Sequence, residues 1–206
     1  MSRIKVLIAD DHAVVRIGLA ALFGTEKDMQ VVGQAKDGED AVAQALATHP
    51  DVVVMDLRMP KTDGATATQH LKIKLPNVKV LILTSYGEAD GVAHALEAGA
   101  CGAISKTAED TILISVVRRI AAGERYVSPE IKKLLKDSPP VPKMTTRQEE
   151  ILAYMVKGLT NKDIAKLLKI REDSVEEHVN LILAKLDAAN RTEAAAIALR
   201  KHLLKI

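Results

Sequence analysis

The sequence predicts two folded parts: a doubly wound α/β domain on a five-stranded parallel sheet, followed by a small all-α domain of four helices with a helix-turn-helix. Three observations lead there. Five short apolar runs alternate with alanine-rich helical patterns over residues 1–125. A proline cluster in KDSPPVPK (136–143) can continue neither helix nor sheet. Beyond it, apolar residues recur at helical spacing between capping signals.

The strands are IKVLIA (4–9), MQVVGQA (29–35), DVVVM (51–55), VKVLILT (78–84) and CGAIS (101–105). Their length and near-continuous apolarity are those of strands covered on both faces of a parallel sheet. Residues 14–22, 40–48 and 88–98 carry helical spacing between them, giving βα units in series. The stretch YVSPEIKKLLKDSPPVPK (126–143) reads as a linker, with Ser128 as N-cap, Pro129 as first residue of a short helix to about Lys136, and then an extended tether. In the last part, Thr146 and Glu149 have capping-box spacing and open a helix that Gly158 ends. Thr160 and Asp163 repeat the device for 162–168, and Asn190 with Glu193 caps 192–203. Between them lies DSVEEHVNLILAKL (173–186), with Val175, Val179, Ile182 and Leu186 on one face and Glu176, Glu177, Asn180, Leu181 and Ala184 on the other. The expected divisions are a first domain over 1–125, a linker over 126–142 and a second domain over 143–206.

Composition bounds the function. Hydrophobic residues at 48% and charged residues at 27% belong to a folded chain rather than a disordered one. No apolar run approaches the roughly 18 residues of a membrane span. The opening MSRIKVLIADDH meets acids too soon for a signal peptide, so a cytoplasmic protein with no membrane partner is expected. A single cysteine, Cys101, excludes an internal disulfide and a cysteine-based zinc site. The net charge of +2 divides into 14 basic and 16 acidic groups over 1–125, against 15 basic and 11 acidic over 126–206. Such a split permits nucleic-acid contact by the second part without requiring it. One Phe, three Tyr and no Trp argue against base stacking on single strands.

Open parallel sheets bind ligands at the carboxyl ends of their strands. There the sequence places Asp10 and Asp11 after the first strand, Asp56 after the third, Thr84 at the end of the fourth and Lys106 after the fifth. Any one of these alone reads as a cap or a solvated loop residue. Converging carboxylates repel unless a cation neutralises them, and hard oxygen ligands suit Mg2+. With a cation present, Asp56 can act as nucleophile toward a phosphoryl donor, and Thr84 and Lys106 can bind the phosphoryl oxygens.

The motifs IADDH, VVVMD before LRMP, LILTS and AISK resemble the receiver domain of bacterial two-component response regulators, over about residues 3–123. That resemblance implies a flavodoxin-like fold and phospho-transfer from a sensor histidine kinase to Asp56. It also implies Mg2+ held by Asp11, Asp56 and the main-chain carbonyl of Arg58, with Asp10 more peripheral. Two positions depart from the pattern: Ala103 stands where receivers carry an aromatic switch residue, and Thr107 where many carry proline. With Thr84 as the switch threonine, Tyr86 is the nearest aromatic substitute.

MTTRQEEILAYMVKGLTNKDIAKLLKI, SVEEHVNLILAKL and NRTEAAAIA are similar to the LuxR-type output domain of the NarL/FixJ response regulators, over about 143–203. The resemblance implies sequence-specific duplex DNA binding as a dimer, formed on phosphorylation, and a regulator rather than a turnover enzyme. Glu176 stands where the family carries lysine, Asn180 where a basic residue is frequent, and Arg171 where serine caps the helix. Glutamate is repelled by phosphate, although Glu can accept from cytosine N4 and Asn can pair with adenine. Lys162, Lys166, Lys169, Arg171 and Arg191 remain as backbone contacts, with Glu176, Glu177 and Asn180 facing the bases. The alternative is a receiver joined to a diverged interaction or dimerisation module with weak or no DNA binding. A phosphatase of the haloacid dehalogenase type would need Asp-x-Asp after the first strand, whereas Asp10 and Asp11 are adjacent.

Overall fold

The computed structural model describes residues 3–85, 89–137, 144–201 and 203–204. The chain forms two compact units, Met1–Pro139 and Pro140–Ile206.

In the first unit, strands β1 (Ile4–Ala9), β2 (Met29–Ala35), β3 (Val52–Asp56), β4 (Lys79–Thr84), β5 (Gly102–Ser105) and β6 (Tyr126–Val127) alternate with helices α1 (Ala13–Gly24), α2 (Gly38–Thr48), α3 (Gly64–Lys74), α4 (Ala89–Glu97) and α5 (Asp110–Ala121). The sheet is parallel throughout, in the order β2-β1-β3-β4-β5-β6. Strand order therefore reverses between β1 and β3, which opens a crevice at their carboxyl ends. Because strand side chains alternate between faces, each strand feeds two cores. Leu7, Val53, Met55, Val80 and Ile82 pack on the side of α2, α3 and α4. Val6, Ile8, Val54, Leu81 and Leu83 pack on the side of α1 and α5. Arg118 of α5 grips the loop before β2, meeting Asp28 through two nitrogens at 2.8 Å.

The sequence predicts five strands, and the structure has a sixth. β6 is only two residues long, too short to carry a periodic signal, and it pairs with Gly102 and Ala103 of β5. Gly102 makes the pairing possible, since a Cβ there would lie 2.3 Å from the Tyr126 carbonyl oxygen. Helix α6 (Pro129–Asp137) follows, and Ile131, Leu134 and Leu135 join the core beside α4. Residues 126–137 thus fold as part of the first unit instead of standing apart as a linker. Ser128 and Pro129 mark the helix start in the sequence; the surface that receives the helix does not show there.

The second unit holds α7 (Thr146–Val156), α8 (Asn161–Leu168), α9 (Glu172–Leu186) and α10 (Arg191–Arg200) around a core of Ile151, Leu152, Met155, Ile164, Val175, Val179, Ile182, Leu186 and Ile197. The capping box of α7 sits one residue earlier than the Thr146–Glu149 spacing predicts: Thr145 is the N-cap and Gln148 its partner. TTRQE holds two overlapping boxes, and this register turns Gln148 inward, where its side chain accepts from Lys185 Nζ at 2.8 Å. The boxes at Thr160–Asp163 and the cap at Asn190 form as expected.

Ile131 is 4% exposed, so Ile131→Ala should destabilise the first unit by about 2–4 kcal/mol. Urea unfolding of full-length protein checks this, since the loss should fall on the first unit's transition only.

Candidate functional site

β1 and β3 are neighbours, and their carboxyl ends deliver Asp10 and Asp56 side by side into the crevice. Both are almost wholly buried, at 1% and 4% exposure. Burying carboxylates is costly unless they are paired. Lys106, directly after β5, supplies the pairing: its Nζ lies 2.8 Å from Asp10 Oδ2 and 2.9 Å from Asp56 Oδ2. Burial opposes the ammonium, but the bonds to Asp10 and Asp56 outweigh it and hold the Lys106 pKa above the usual lysine value. The sign follows: the stability from this pairing is fully present below the ordinary lysine pKa and is lost only as pH rises through the raised one.

Asp11 stands at the rim, and His12 Nδ1 meets its Oδ1 at 2.7 Å. The His12 backbone N–H donates to Asp10 Oδ1 at 2.8 Å. Ligand atoms of Asp10, Asp11, His12 and Asp56 all lie within 4.8 Å of one another. Arg16, one turn into α1, donates from Nη1 to the Asp10 carbonyl at 2.7 Å and so fixes the turn that carries the acids. His12 and Arg16 were missed as contributors. The adjacency of His12 to the acid pair was a usable signal, whereas the reach of Arg16 back to Asp10 depends on helix α1 folding over the strand end.

Thr84 closes β4 opposite Ser105, is fully buried, and its hydroxyl donates to the Ser85 carbonyl at 3.0 Å. The Lys106 N–H donates to the Thr84 carbonyl at 2.9 Å, so the two side chains leave adjacent strand ends together. Ser105 and Thr107 hydroxyls lie 2.8 Å apart and brace the turn around Lys106. On the other side, α3 begins at Gly64 because the chain passes against Asp56, and a Cβ there would lie 2.2 Å from the Asp56 carbonyl oxygen. The acids Asp10, Asp11 and Asp56, with Thr84 and Lys106, are therefore brought to one mouth. Arg58, just past Asp56, is exposed between the buried Leu57 and Met59. Ala103 is fully buried, in register with Val127 of β6. Tyr86 lies outside the described residues.

Three carboxylates facing one ammonium leave two negative charges in an oxygen-lined crevice. That excess and that donor set fit a hard divalent cation.

In the second unit, α8 and α9 are joined by a short turn in which Lys169 takes a left-handed conformation, φ 52°. The buried face of α9 is the predicted one, and Glu176, Glu177, Asn180, Leu181 and Ala184 are exposed. Arg171 occupies the N-cap without a side-chain cap bond and pairs with Asp173 at 2.7 Å. Lys162 and Lys166 are exposed on α8. Arg191 is turned toward its own domain, where Nη2 donates to the Leu159 carbonyl just before the Thr160 cap of α8.

Two family profiles match: "Response regulator receiver domain" over residues 6–118 and "Bacterial regulatory proteins, luxR family" over 142–198. Response regulator protein VraR of Staphylococcus aureus is 38% identical over 98% of this chain and 99% of its own length. Among solved structures, the response regulator ChrA of a heme-sensing two-component system is 36% identical, covers 99% of this chain and all of its own, and superposes with a TM-score of 0.60. The RcsB–DNA complex, at 21% identity and a TM-score of 0.66 over 97% of this chain and 99% of its own, shares the fold. The chain belongs to the two-component response regulators that join a receiver domain to a LuxR-family helix-turn-helix domain.

Proposed function

We propose that this regulator is controlled by phosphorylation of Asp56 by a sensor histidine kinase, and that its second domain then acts on transcription through duplex DNA. The observation that carries the reading is the meeting of Asp10, Asp11, Asp56 and Lys106 at the point where the strand order reverses. An Asp56 carboxylate oxygen attacks phosphorus, the phosphorus–nitrogen bond of the donor phosphohistidine breaks, and the imidazole leaves as the acyl phosphate forms. Mg2+ supplies charge screening on the transferring group. Asp11, Asp56 and the Arg58 carbonyl would hold it. Asp10 is already engaged by Lys106 and by the His12 N–H, which suits a supporting role. Lys106 and Thr84 bind the phosphoryl oxygens, and positioning with charge stabilisation is what such transfer chiefly needs. Turnover beyond transfer to Asp56 and its own dephosphorylation is not part of this function.

Self-association on phosphorylation is the route we assign from pocket to output. Thr84 is drawn toward the phosphoryl group, and with Ala103 offering no ring behind it, the change is carried by Tyr86 or by a displacement of α4. The DNA contacts we assign are Lys162, Lys166 and Arg171 to the backbone, with Glu176, Glu177 and Asn180 at the bases; Arg191, bound to Leu159, acts chiefly by holding the α7–α8 loop. The acidic outer face of α9, and Arg171 paired with Asp173, favour a second reading: an interaction module with little DNA affinity.

Intact-mass measurement after treatment with a small phosphodonor and Mg2+ should give one added phosphate on the parent protein and none on Asp56→Asn. Asp11→Ala should label poorly through loss of the cation. Undiminished labelling of Asp56→Asn would remove the assignment.

Duplex binding measured against salt separates the two readings of α9. If Glu176 lies by the backbone, Glu176→Lys should strengthen binding to all duplexes and steepen the logarithmic salt slope by about one. If it accepts from cytosine, the same change should cost roughly 1–3 kcal/mol of preference at one base pair. Failure of both proteins to bind duplex at low salt would support the interaction module.

A further inference from the structure

We infer that the ion pair between Asp37 and Lys61 is a positioning latch for the loop that carries Arg58, setting how well the crevice holds its cation. This rests on the reading of the acidic crevice as the Mg2+ and phosphoryl site. The loop leaves β3 directly after Asp56 and ends at the Asp63 cap of α3. Its near end is fixed by the Gly64 N–H, which donates to the Leu57 carbonyl at 2.9 Å, and by the close passage of Gly64 against the Asp56 backbone. Its far end is fixed on a different element. The Gly38 N–H, at the start of α2, donates to the Thr62 carbonyl at 3.2 Å, and a Cβ at Gly38 would lie 2.3 Å from that oxygen. Beside this contact, Lys61 Nζ reaches Asp37 Oδ2 at 2.8 Å.

The two partners are unequal. Asp37 is 2% exposed and is also the N-cap of α2, accepting from the Asp40 N–H at 2.8 Å, so it is a fixed anchor. Lys61 is 58% exposed along its side chain and has a backbone φ of 63°, a left-handed conformation that a non-glycine residue adopts only when its surroundings hold it there. The Lys61 ammonium, and then the Asp40 N–H, hold the Asp37 carboxyl below its usual range, while Asp37 holds Lys61 above the usual lysine value. Both therefore carry charge at neutral pH. A tight turn from the Thr62 N–H to the Pro60 carbonyl, at 2.8 Å, passes the restraint along the loop. Arg58 lies between the two ends. Met59 anchors the middle of the loop in the core and Asp63 ties its end to α3, so without the pair the link to α2 rests on the Gly38–Thr62 hydrogen bond and the Arg58 main chain is held less closely in the ligand geometry.

The test is Mg2+ binding by calorimetry on the full chain, compared with the Mg2+ dependence of phosphorylation and with thermal unfolding in EDTA. Lys61→Met and Asp37→Asn should each raise the Mg2+ dissociation constant by roughly two- to fivefold, the range expected of a partly exposed pair. Lys61→Met should leave the phosphorylation rate at saturating Mg2+ unchanged and lower the unfolding midpoint in EDTA only slightly, because Asp37 keeps the Asp40 N–H as a partner. Lys61→Arg should restore Mg2+ affinity, and Lys61→Gly, which relaxes the backbone but removes the charge, should not. Asp11→Ala serves as the reference for loss of the cation site. Parent-like affinity in Lys61→Met or Lys61→Gly, with Asp11→Ala defective, would overturn the latch and leave the Mg2+ reading standing. Parent-like affinity in Asp11→Ala would overturn the Mg2+ reading and the latch with it.

Discussion

Two buried carboxylates on adjacent strand ends, held apart from open conflict by a single ammonium, set the terms for the rest of the first unit. Asp10 and Asp56 could not share the crevice without Lys106, and Lys106 reaches them only because β5 ends level with β4 on the same edge of the sheet. The strand order brings β1 beside β3, and the glycines at 38 and 64 let loops pass close enough to shape the mouth. The crevice remains electrostatically incomplete, with more negative charge than its lysine can balance. That imbalance is a stability burden in the resting protein and is also the reason a divalent cation and a phosphoryl group can be accommodated there.

Much of this is legible in the sequence because the chemistry sits where fold rules place it. Five strands announce themselves as apolar runs, and the residues after them are polar types with few bland roles in combination. The unreadable parts are those settled by through-space contact. β6 is two residues long and depends on a missing Cβ at Gly102; α6 reads as a short linker helix until the face of α4 and β5 is there to take Ile131. The choice between Thr145 and Thr146 as cap was decided by the burial of Gln148, a tertiary effect on a local pattern that permits both. Arg16 serving Asp10, Lys61 serving Asp37 and Arg191 serving Leu159 are surface-type residues in the sequence and become structural ones only in three dimensions.

The second unit answers to a different balance. Its core is well specified, with the buried face of α9 as its periodicity requires, yet its outer face carries acids where DNA would bring phosphates. Glu172 and Asp173 in the first turn complement the helix dipole, which accounts for those two acids without any ligand. Glu176 and Glu177 lie beyond that turn and have no such local reason. On the proposed DNA reading, such a face would draw less on counterion release and more on base contacts.

We propose that the crevice at the β1–β3 reversal takes a phosphoryl group on Asp56 beside a divalent cation. The most direct measurement is a crystal structure of the full chain grown with Mg2+ and beryllofluoride, which mimics an acyl phosphate. The expected structure has beryllofluoride bonded to an Asp56 carboxylate oxygen, Lys106 and Thr84 turned to its fluorines, and Mg2+ bound by Asp11, Asp56 and the Arg58 carbonyl. An adduct on Asp10 or Asp11, or a crevice in which Lys106 stays locked between Asp10 and Asp56 with neither ion bound, would contradict it.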